Sequence, residues 1–122
     1  MSNSKEIRSL VTNQGNIELS IKTSEIPTPS ADEVLIKVEA APINPSDLGL
    51  LLSFAADISS ISTSGSGDEI VTTMKIHPTL VNAMKPRLDQ SMQVGNEGAG
   101  VIVDAGDNVK DLIGKTVGLA GG

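Results

Sequence analysis

Three glycines in six residues, Gly95, Gly98 and Gly100, lead straight into an alternating apolar run, Ala99, Val101, Val103 and Ala105. A residue without Cβ lets the backbone take a positive φ or approach another segment closely. A period of two is that of a strand with one buried face. Val94–Ala105 is therefore read as a strand with a glycine-rich entrance. It holds an amide, Asn96, and a carboxylate, Glu97, at its mouth, where binding groups are often placed. A strand without any chemistry accounts for the same residues equally well.

The same period recurs upstream. Ile17, Leu19 and Ile21 alternate with Glu18, Ser20 and Lys22, and Asn13–Asn16 reads as the turn of a hairpin with Ile7–Val11. Ile26-Pro27-Thr28-Pro29 is an extended connector, because proline and the residue before it are both pushed away from helix. Val34, Ile36, Val38 and Ala40 then mark a strand over Val34–Ala41. The break after it, Asn44-Pro45-Ser46-Asp47, has the order of a helix start: an N-cap residue, proline at the first position and a carboxylate in the first turn. A short helix is expected over Pro45–Leu52.

The serine-rich run Ser59–Gly67 reads as a flexible loop, taken to span about residues 55–69. Ile70–Ile76 suits a strand, Pro78–Leu88 a helix ended or kinked near Pro86, and Thr116–Leu119 a last short strand. Many short strands with few short helices argue a mainly-β barrel or sandwich.

Composition closes off several classes of function. The net charge of −6 offers nothing to phosphate backbones or anionic lipid, and Phe54, with no Trp or Tyr beside it, is the one aromatic ring of the Phe, Trp and Tyr set for a base to stack on. No nucleic-acid or membrane partner is expected. There is no cysteine and one histidine, His77, so thiol chemistry and a conventional zinc site are both unexpected. No apolar leader opens the chain and no 18-residue apolar run interrupts it, the pattern of a cytoplasmic protein.

Four segments, in this order, carry a resemblance: P-T-P-S-A-D-E-V-L-I-K-V-E-A (27–40), N-P-S-D (44–47), G-N-E-G-A-G-V-I-V-D-A-G (95–106) and V-K-D-L-I-G-K-T-V (109–117). Together they resemble the N-terminal GroES-like domain of the medium-chain dehydrogenase/reductase superfamily, in its zinc-independent quinone oxidoreductase and enoyl reductase branch. The resemblance implies a GroES-like, partly open β-barrel with a few short helices. It also implies NADPH or NADH as cofactor, and hydride transfer to a small quinone or enone-like substrate. Zinc-dependent members carry Cys near the position of Asn44 and His at that of Asn96; neither is present, nor is the four-cysteine lobe, so no metal is expected.

The resemblance places Asn44 and Asp47 as catalytic candidates and Asn44 and Asn96 as cofactor contacts. Helix capping by Asn44 and first-turn stabilisation by Asp47 are the plainer roles, and Asn44 can fill both. G-N-E-G-A-G has its glycines in the wrong order for G-x-G-x-x-G and precedes a strand pattern instead of a helix. The dinucleotide-binding domain of the family is thus not expected within residues 1–122, and the GroES-like domain itself reads as incomplete after Gly122. An open sheet edge favours a homodimer. The alternative is a stand-alone GroES-like binding or assembly module without catalysis.

Overall fold

The computed structural model describes residues 3–121 and is mainly β, as the alternation predicts. Eight strands run in chain order: β1 (Asn3–Val11), β2 (Asn16–Glu25), β3 (Val34–Ala40), β4 (Ala56–Ser64), β5 (Val71–Ile76), β6 (Met92–Gln93), β7 (Glu97–Ala105) and β8 (Thr116–Ala120). One α-helix, α1 (Pro45–Leu51), and four 3-10 turns complete the described residues. No helix among them is long and apolar enough to cross a membrane. The chain divides into two compact units. The first holds the residues up to Ser24 together with Asn44–Val94, and the second holds Glu25–Ile43 and the residues from Gly95 onward.

The first unit is built on a five-stranded open sheet in the order β4-β5-β2-β1-β6. Its core is aliphatic, as the near absence of aromatics requires. Val11, Ile17, Ala55, Met74, Ile76 and Met84 are buried together, with Leu19, Leu52, Ala56 and Leu80 packed against them. Ile17 faces Met74 across the antiparallel β2–β5 pair. The expected turn joins β1 to β2, closed by the Thr12 N–H on the Asn16 carbonyl at 2.8 Å.

Two expectations fail here. Ser59–Gly67 is not a flexible loop: residues 56–64 form β4, an edge strand paired with β5. Serine-rich composition suggested a linker, but β5 is available as a partner and the hydroxyls join the ladder. Thr63 and Thr72 bond across the strands at 3.3 Å, and Ser60 Oγ accepts the Lys75 N–H at 2.7 Å where the register slips between Asp57 and Ser62. The Ser59 hydroxyl and N–H both donate to Asp57 Oδ1, which holds that carboxyl below its ordinary 3.8. Nor is Pro78–Leu88 an α-helix. It forms 3-10 turns over Pro78–Leu80 and Asn82–Arg87. Pro86 inside the second turn has no N–H to give an α-helical ladder, and the shorter 3-10 pieces tolerate that.

The second unit is a three-stranded antiparallel sheet, β3-β7-β8. Val38 pairs with Gly100 and Lys37 with Val101, with register irregularities on either side of Ile36–Val38. The glycine entrance of β7 has two separate uses. Gly95 takes a positive φ of 93°, which turns the chain into the strand. Gly100 lets β3 come close, because a Cβ there would run into the Lys37 carbonyl and lie 2.9 Å from the Val38 Cα. Beyond β7, the Asn108 N–H reaches the Ala31 carbonyl at 3.0 Å and its amide reaches Asp32 Oδ1 at 2.8 Å, tying the turn to the start of β3.

Candidate functional site

Asn44 stands where the extended chain after β3 enters α1. Its backbone is extended (φ −90°, ψ 157°), and Pro45 supplies the fixed φ of the first helical residue. Asp47 folds back so that its carboxylate accepts the Asn44 N–H at 2.8 Å, while the Asp47 N–H donates to the Asn44 carbonyl at 2.9 Å. The two residues form a reciprocal capping box. The structure therefore brings Asn44 and Asp47 together, and it gives each the helix-forming role that local sequence suggests. Asp47 is buried and engaged with backbone, while Asn44 is half-buried.

The far end of α1 is held by residues that sequence inspection does not single out. The Arg87 guanidinium, from the 3-10 turn Asn82–Arg87, donates through Nη1 to the Gly49 carbonyl (3.3 Å) and through Nη2 to Ser9 Oγ (2.9 Å). The Ser9 hydroxyl, fully buried on β1, donates its own hydrogen bond to the Leu50 carbonyl at 2.6 Å. Burial pulls the pKa of the Arg87 guanidinium below its ordinary value. No local pattern announces this cluster, because its members lie 38 to 78 residues apart.

In the second unit, Asn96 and Glu97 mark the beginning of β7, both exposed. The Asn96 carbonyl accepts the Gly121 N–H at 2.9 Å, which zips the end of β8 onto the mouth of β7. Beside it lies an open, mainly apolar depression of about 470 Å³, lined by Ala40–Pro42, Glu97–Ala99, Leu119 and Ala120. Glu97 is the titratable group of that lining. Small side chains on three strand ends leave room there for a flat or slender apolar group, with a carboxylate at the rim.

His77 is exposed and contributes its N–H to the Ala55 carbonyl. Met74 and Met84 are core residues, and Met92 lies on the two-residue strand β6. Among the described residues no three His, Cys, Asp or Glu side chains converge as a metal ion requires.

Among curated proteins none matches the chain. The family profile of the alcohol dehydrogenase GroES-like domain matches residues 30–121. That span runs from the connector before β3, through the capped turn at Asn44, to the close of β8, so the chain belongs to the alcohol dehydrogenase GroES-like domain family.

Proposed function

We propose that this domain is the N-terminal, catalytic portion of a zinc-independent oxidoreductase that reduces a quinone or an activated carbon–carbon double bond with NADPH or NADH. The observation that carries the reading is the Asn44–Asp47 capping box, within a chain of this family. It fixes a neutral amide where zinc-dependent relatives are expected to have a metal-binding thiol. An amide both donates and accepts hydrogen bonds, so it suits a substrate carbonyl or the carboxamide of a nicotinamide.

The residues fit the nicotinamide end of such a cofactor and not its pyrophosphate end. G-N-E-G-A-G opens a strand, β7, whereas a pyrophosphate cradle needs a helix after its glycines. When bound, the cofactor supplies the hydride. This chain's own contribution is then positioning and polarisation. Asn44 donates to the carbonyl oxygen on which negative charge develops, Asp47 holds the Asn44 backbone, and Asn96 contacts the cofactor. A homodimer is the proposed working form, since β4 and β8 are edge strands; a monodisperse monomer in sedimentation contradicts that.

The test joins this chain after Gly122 to a dinucleotide-binding domain from a zinc-independent reductase and follows NADPH oxidation with a 1,4-quinone and with an enone. Turnover that survives a chelator supports the reading. Asn44→Asp keeps a good N-cap but removes the amide donor, and should lower kcat about a hundredfold. A folded, NADPH-binding fusion with no turnover on either acceptor favours a binding or assembly module instead.

A further inference from the structure

The seven residues of α1 are too few for a helix to hold itself in water. Its last carbonyls need donors, and its last turn carries no basic residue. The Leu48 carbonyl is met by the N–H groups of Leu52 and Ser53, both at 2.9 Å. The next two carbonyls are met from outside the helix, Gly49 by Arg87 and Leu50 by Ser9. The Ser9 hydroxyl accepts from Arg87 and donates to Leu50, so the three groups form one continuous chain of bonds. No carboxylate pairs with Arg87 among the described residues, and its Nε is buried there without a hydrogen-bond partner. The charge instead faces the carbonyl end of α1, the negative end of a helix.

We propose that Arg87, acting through Ser9 and the α1 carbonyls, is the positioning residue for Asn44. The capping box fixes the near end of the helix locally, and the bonds from Arg87 and Ser9 hold its far end. A seven-residue helix is about 10 Å long, so a tilt of about 10° about the Arg87 end moves Asn44 by roughly 2 Å. A misplacement of about 1 Å at a reacting group can lower a rate about a hundredfold. A guanidinium gripping two acceptors sets that direction better than an ammonium, which presents a single point charge. The functional half of this proposal rests on the reading that Asn44 meets substrate or cofactor; the structural half does not.

The experiment is residue-resolved amide hydrogen exchange on the whole chain, with Arg87→Met, Arg87→Lys and Ser9→Ala, alongside urea unfolding. Protection of the Leu52 and Ser53 amides should fall about tenfold more than that of the Ile17 and Met74 amides in Arg87→Met, and Arg87→Lys should not restore it. Ser9→Ala, which removes one hydroxyl and leaves the β1 backbone unchanged, should repeat the local loss. An equal loss at helix and core amides, or none, overturns the proposal. In the fusion described above, Arg87→Met should lower kcat with little change in KM, and an unchanged kcat overturns the positioning role. Local loss of protection in a fusion whose turnover ignores Asn44→Asp refutes the functional reading and leaves the helix clamp standing.

Discussion

Asp47 returns its carboxylate to the backbone N–H of Asn44 at 2.8 Å, so the first residue of the helix entrance is anchored by the residue three positions later. The anchor separates two contributions of Asn44 that a single alanine variant would confuse. Asn44→Ala should destabilise the chain by about 1 kcal/mol through loss of the cap, while Asn44→Asp and Asn44→Ser should stay within about 0.5 kcal/mol of the parent. Urea midpoints of the three variants check this. Equal losses in all three would show that the amide itself holds the turn.

Gly98 and Gly100 look interchangeable in sequence, yet the structure makes opposite demands on them. An added Cβ at Gly98 meets the Ala40 carbonyl at 3.2 Å, a contact relieved by a small shift. At Gly100 it meets the backbone of Lys37 and Val38 directly. Gly100→Ala should therefore destabilise by about 1–3 kcal/mol and Gly98→Ala by clearly less. Chemical denaturation of the two variants side by side decides the point.

Ile17 is fully buried and faces Met74, at the centre of an aliphatic core with no aromatic residue to fill a gap. Ile17→Ala should lower stability by about 2–5 kcal/mol. Ile61→Ser, on the exposed side of β4, should change it by less than about 0.5 kcal/mol. Thermal or urea unfolding of both variants is the measurement.

These contrasts show which parts of the molecule were legible beforehand. β2, β3 and β7 were readable because each carries its own alternation, and α1 because Asn44, Pro45 and Asp47 act on one another within four residues. β4 was hidden, since its serines look like a linker until β5 offers them a ladder. The 3-10 turns after His77 were hidden because apolar spacing there resembles an α-helix, while Pro86 decides otherwise only through backbone geometry. The capping box of the site was legible for the same local reason as the helix. The Arg87–Ser9 clamp was not: its members meet only after β1, α1 and the turn at residues 82–87 have packed.

Glu33 gives a pH prediction. Its carboxylate accepts the Ser30 N–H at 2.9 Å, and that bond holds its pKa below the ordinary 4.5. The unfolded chain therefore takes up this proton at a higher pH than the folded one. The stabilisation is fully present above about pH 4.5 and is lost as pH falls through the lowered folded value. Wild type should lose stability relative to Glu33→Gln over that acid range and run parallel to it near neutrality. Curves that stay parallel throughout would remove Glu33 from the account.

The activity proposed for this domain is nicotinamide-dependent reduction without a metal, through an amide at position 44. It is tested most directly by NADPH oxidation in the chain fused to a dinucleotide-binding domain, with a 1,4-quinone or enone as acceptor and a chelator present. The account predicts turnover that the chelator leaves intact and that Asn44→Asp lowers about a hundredfold with the fold unchanged. Turnover that needs added zinc, or that is indifferent to Asn44→Asp, would contradict it.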